Sequence, residues 1–154
     1  MRIPILASVL LLTAPTLWSQ TVDERIAAVN AVFGGAVHMK MDKQQRLVID
    51  FFDGSNRFRQ DLVLLVQLDT LAVAFSPEED AVVIGCLAAH GQCIDKEIFK
   101  LNAIRRTGRS NLPRPPQDPG GEQAMAALKD LITTAQEQLA TVPNETRERT
   151  VRRK

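Results

Sequence analysis

The sequence predicts an α+β domain, an antiparallel β-meander of about six strands packed by an N-terminal helix and a long C-terminal amphipathic helix. Three observations lead there. Apolar residues recur at helical spacing near both ends of the mature chain, the period between them drops to two, and turn residues interrupt that middle stretch at short intervals. Links so short exclude parallel crossovers, which need a dozen residues or more.

Residues 1–20 stand outside this fold. "MRIPILASVLLLTAPTLWSQ" opens with one cation, Arg2, runs apolar from Ile3 to Leu12, then turns small and polar at Thr13, Ala14 and Thr16. That is the layout of a cleaved secretory signal peptide. The apolar run is shorter than the roughly 20 residues that span a bilayer, and Pro4 and Pro15 at its ends oppose a buried helix. Ser19 suits the cut, Leu17 is larger than such sites favour, and no cysteine lies nearby for a lipid anchor. The product is expected to be secreted or periplasmic, with no transmembrane segment after cleavage.

The full 154-residue chain has 19 Lys and Arg against 18 Asp and Glu, and loss of Arg2 leaves 18 of each. Such balance argues against a nucleic-acid or membrane-surface protein, which would show a basic excess. About 134 residues remain, enough for one domain with a real core. Tyrosine is absent and the single tryptophan, Trp18, lies in the leader, so no aromatic sugar platform is expected.

The domain covers 21–141. In "TVDERIAAVNAVFGG", Val22, Ile26, Val29 and Phe33 form one helical stripe. Thr21 with Glu24 makes a capping box, and Gly34 with Gly35 stops the helix. Strands follow at "AVHMKM" (36–41), "RLVIDFF" (46–52), "RFRQDLVLLVQL" (57–68), "LAVAF" (71–75), "AVVIGCL" (81–87) and "CIDKEIFKL" (93–101). In the third, alternation puts Phe58, Leu62 and Leu64 inward and Arg57, Arg59 and Asp61 outward. Asp50, Asp53, Asp61, Glu78, Glu79 and Asp80 read as solvated charges at turns or on outer faces.

Residues 107–121 hold four of the eight prolines and read as a linker that forms neither helix nor ladder. Beyond it Met125, Leu128, Ile132, Ala135 and Leu139 make a second helical stripe, expected to dock on the open side of the sheet. Residues 142–154 are charged and aperiodic, a disordered tail by composition, in which "NET" is formally a glycosylation acceptor.

"GCLAAHGQCI" (85–94) holds both cysteines and one of the two histidines. In an exported hairpin Cys86 and Cys93 pair as a disulfide, because oxidising compartments form and keep such bonds. The sharper alternative makes Cys86, His90 and Cys93 zinc ligands, but a structural site needs a fourth, and His38 sits on a predicted first strand whose distance from the loop the sequence does not fix. A reactive thiol would need a base held by a third group. No nucleophile elbow, phosphate loop or paired-histidine helix occurs, so no catalytic residue, metal or cofactor is assigned.

The order of elements resembles a pleckstrin-homology-type barrel with its last helix plugging one end, and an open sheet with two packed helices satisfies it equally. "LVIDFFDGSNRFRQD", "FSPEEDAVVIGC" with "CIDKEIF", and "RSNLP" together resemble a group of small exported bacterial proteins of no established activity. The resemblance covers about residues 21–140, implies export and this fold, and carries no catalytic residues.

The functional expectation is a non-enzymatic binding or interaction module for an unknown ligand, with another exported or envelope protein as the candidate partner. Arg57, Arg59, Arg105, Arg106 and Arg109 are the candidate contacts, since guanidinium groups recognise carboxylates and phosphates. The alternative is a small periplasmic enzyme or metal protein centred on Cys86, His90 and Cys93.

Overall fold

In a computed structural model that describes residues 21–141, an N-terminal helix, eight antiparallel strands in two sheets and a C-terminal helix form an α+β fold. Residues 1–20 and 142–154, to which the leader and tail were assigned, lie outside the described residues.

Helix α1 spans Val22–Phe33. Its capping box is complete: the Glu24 carboxylate accepts from the Thr21 N–H at 2.8 Å, and the Thr21 hydroxyl accepts from the Glu24 N–H at 3.3 Å. At the other end Gly34 takes φ of +60°, a left-handed conformation that costs glycine little. The predicted stripe buries Ile26, Val29 and Phe33. Asn30 ties the helix to the sheet, its amide donating to and accepting from the backbone of Met39.

The strands are β1 (Val37–Met41), β2 (Leu47–Asp53), β3 (Asn56–Val63), β4 (Leu68–Ser76), β5 (Ala81–Cys86), β6 (Ile94–Ile98), β7 (Ala103–Thr107) and β8 (Arg109–Pro113). Five form one sheet in the order β1-β2-β3-β6-β7, and three form a second in the order β4-β5-β8. Every pairing is antiparallel, as expected. The simple meander is not kept, because β3 pairs with β6 and β5 with β8. Neither sheet closes on itself. The chain changes sheet three times, at 64–67, at 87–93 and at Gly108. Gly108 sits where two of these crossings meet, and a Cβ there would stand 2.8 Å from the Gly91 carbonyl oxygen.

The expected continuous strand through "DLVLLVQL" ends at Val63, and a single 3-10 turn, Leu65–Gln67, carries the chain to the second sheet. The expected facing of β3 is also reversed. Asp61 and Val63 are buried while Phe58 is exposed, so the inward set is Arg59, Asp61 and Val63. Alternation fixes which residues share a face but not which face is inner, and a one-residue change of parity exchanges them all.

The proline-rich segment needs a second correction. Residues 109–113 form β8, which pairs along Ala81–Gly85. Proline is tolerated because β8 is an edge strand and Pro113 is its last residue. Downstream, buried Asp118 accepts a 2.9 Å bond from the Ala124 N–H and so satisfies a free donor of helix α2, Glu122–Thr141. Helix α2 buries Leu128, Ile132 and Ala135 of the predicted stripe, together with Ala124 and Leu131, against α1 and β4. Leu139 stays half exposed.

Candidate functional site

Cys86 at the end of β5 and Cys93 just before β6 have Cα atoms 5.9 Å apart and their sulfurs joined. The bond does not staple a hairpin, because β5 and β6 belong to different sheets. It clamps one of the three crossings between the sheets. A thiolate ligand or nucleophile would require this bond to be opened. His90 lies exposed in the intervening turn, and His38 on β1 is separated from β6 by β2 and β3, about 14 Å at normal strand spacing.

The five candidate arginines do not converge. Arg57 pairs with Asp50 at 3.1 Å and lies over the Phe99 ring. Arg106 pairs with Asp95 at 3.1 Å and Arg109 with Glu79 at 2.6 Å. Arg105 is exposed on β7 and pairs with no carboxylate among the described residues. Arg59 alone points into the seam between the sheets, where its guanidinium stacks on Phe51 at 3.6 Å.

Around Arg59 the seam holds charge that alternation had assigned to water. Arg59 Nη2 donates to Asn111 O at 2.9 Å, Ser110 Oγ at 3.1 Å and Asp61 Oδ2 at 3.3 Å. Its Nε stands 3.1 Å from Asp61 Oδ1 without a well-directed hydrogen bond, so that contact is coulombic. The Ser110 hydroxyl donates to Asp61. Lys96 lies beside Asp61 in the β3–β6 register.

Burial dominates the titration of all three charges. It pushes the Asp61 carboxyl above its ordinary range, against the pull of Ser110, Arg59 and Lys96. It lowers Arg59 and Lys96 from their ordinary values, with Asp61 opposing both shifts. A buried ion pair of this kind contributes little net stability, yet loss of one partner strands a charge in the core.

A cleft of about 700 Å³ opens where the seam meets solvent, walled by Phe51, Phe52, Phe58, Arg59, Ile98 and Pro113. A second hollow of about 770 Å³, between the start of α1 and the end of α2, is lined chiefly by aliphatic side chains and carries no cation.

On the outer face of the five-stranded sheet, Asp50 is buried in a different setting. It accepts from Gln60 at 2.6 Å and pairs with Lys40 and Arg57 at 3.2 and 3.1 Å. Burial would raise its carboxyl, but hydrogen bonds from Gln60 and Lys40, with the charges of Lys40 and Arg57, outweigh it and hold Asp50 below the usual carboxylate value.

At the sheet margin β7 has a partner on one side only. Leu101 and Ile104 are exposed there, at 59% and 72%, next to Arg105. No helix among the described residues is long and apolar enough to cross a membrane. Comparison with family models, curated proteins and solved structures returned no match.

Proposed function

We propose that this chain is an exported, non-enzymatic interaction module that docks a strand of another exported or envelope protein on the β7 edge. The carrying observation is that β7 is paired, among the described residues, only with β6 and displays Ile104 and Arg105 to solvent. An open edge offers a row of backbone donors and acceptors to an added strand, and flanking side chains give it selectivity. Here Leu101 and Ile104 ask for apolar residues on the partner, and Arg105, which has no carboxylate of its own among the described residues, asks for an acidic one.

Export rests on the layout of residues 1–20 and on the Cys86–Cys93 pair, which suits an oxidising compartment. Mass spectrometry of the mature N-terminus checks it, with an uncut leader as the contrary result.

The interaction is tested by affinity capture from envelope extract with the wild type and with an Ile104→Asp/Arg105→Glu variant of equal thermal stability. A species retained by the wild type, lost by the variant, and protecting residues 103–107 from hydrogen exchange supports the reading. Identical capture by both proteins would sink it.

A further inference from the structure

The geometry points to a small-molecule site in the cleft between the sheets that takes an amphipathic monocarboxylate, its carboxylate on Arg59 and its hydrocarbon body along the phenylalanine wall. This site is separate from the β7 edge, and neither reading depends on the other.

Arg59 carries the argument. A guanidinium has five N–H donors in a fixed fork. Here Nε and Nη2 are turned to Asp61, Ser110 and Asn111, whereas Nη1 makes no hydrogen bond or ion pair to any described residue. Nη1 is also not among the buried atoms that lack a partner, while Arg59 lines the cleft. One edge of the fork is therefore locked to the protein and the other is offered to the hollow. Stacking on Phe51 and the contacts with Asp61 hold the group in place, so little side-chain freedom remains to be lost on binding.

Charge leaves room for an anion. Of the residues that line the cleft, Arg59 and Lys100 are cationic and Asp53, Glu79 and Asp80 are anionic. Glu79 and Asp80 at the rim are already paired, with Arg109 and Arg114, each at 2.6 Å. Their repulsion of an incoming carboxylate is correspondingly weakened.

Shape and apolar surface choose the rest of the ligand. Phe51, Phe52, Phe58, Ile98 and Pro113 supply hydrocarbon around Arg59, with Lys100 a second cation in the lining. A volume of about 700 Å³ lies within the range of small-molecule sites and accommodates a chain of about ten carbons. Phe58, 36% exposed, stands beside Phe51 with ring centroids 6.4 Å apart and extends the apolar wall toward solvent.

The test uses the oxidised mature protein with three probes of equal chain length: decanoate, decanol and decyltrimethylammonium. Calorimetry gives the affinities, and amide chemical shifts locate the site. Decanoate is expected to bind at least roughly tenfold tighter than either other probe, the scale of one charge-assisted hydrogen-bonded contact. Its saturable shifts are expected at Phe58, Ile98 and Asn111. Arg59→Lys should weaken decanoate about tenfold and leave decanol unchanged, because an ammonium keeps the charge but not the fork. Phe58→Asp, at an exposed position on the cleft wall, should abolish decanoate binding by exchanging apolar wall for a fixed carboxylate in the cleft. Equal affinity for decanoate and decanol, saturable shifts confined to another surface, or undiminished decanoate binding by Phe58→Asp would each overturn the assignment.

Discussion

Asp50 and Asp61 lie on adjacent strands of one sheet, both almost without solvent contact, and their titration is shifted in opposite directions. The difference is in their partners. Asp50 receives Lys40 and Arg57, which are 53% and 43% exposed and keep much of their hydration while they neutralise it. Asp61 receives Ser110 and Arg59 at the seam, where the cation keeps only 18% of its side-chain exposure. A buried carboxylate is thus readily held when its counter-charges reach it from solvent. It is costlier when the counter-charge is itself largely desolvated, because two desolvation penalties then oppose one attraction.

The largest effect should come from breaking the Arg59–Asp61 pair. Asp61→Leu leaves Arg59 uncompensated and is expected to cost about 3 to 5 kcal/mol by urea denaturation at neutral pH. Arg59→Met/Asp61→Leu should recover most of that loss, since apolar replacement of both members of a buried pair is often neutral. A double variant as unstable as the single one would mean that the pair holds the sheets together in its own right.

Cys86→Ser/Cys93→Ser removes the covalent link at the sheet crossing and should cost about 2 to 3 kcal/mol for a loop this short. Wild type treated with reductant should match the variant. Unchanged stability would show that the two sheets hold each other without the clamp.

Asp50→Asn should be milder, about 1 to 2 kcal/mol at neutral pH, because its cations can return to water. Here pH separates the two aspartates. Folding lowers the Asp50 pKa, so its contribution is complete above the unfolded value of 3.8 and is lost as pH falls through the lower folded value. Folding raises the Asp61 pKa, so its contribution is complete below 3.8 and is lost as pH rises through the higher folded value. The gap between wild type and Asp50→Asn should therefore close on acidification below 3.8. A gap that persists at low pH would show that Asp50 acts through shape and not through charge.

Arg57→Ala should be the smallest change, below about 1 kcal/mol, as for other half-exposed ion pairs, and should shrink further in high salt. An effect as large as that of Asp61→Leu would erase the distinction between the two faces.

The sequence made the seam hard to see for a definite reason. In β3 the alternation of Arg57, Phe58, Arg59, Gln60, Asp61 and Leu62 is plain, and hydrophobicity assigns the charged set to water. Charged residues go inside only when their partners are already there, and Ser110 and Asn111 are some 50 positions away in the chain, separated from Arg59 by 51 and 52 residues. Separation in the chain also hid β8, whose ladder to β5 no local pattern announces in a proline-rich segment.

What the sequence determined by itself was local. It placed the capped helix from Thr21, six of the eight strands, the stripe of α2 and the pairing of Cys86 with Cys93, because caps, periods and close cysteines act within a few residues. Only the tertiary structure decided that the strands divide between two sheets, that the disulfide spans their junction, and that Arg59 and Asp61 lie within. These are choices between surfaces brought together by distant parts of the chain, and their energies depend on what each surface meets.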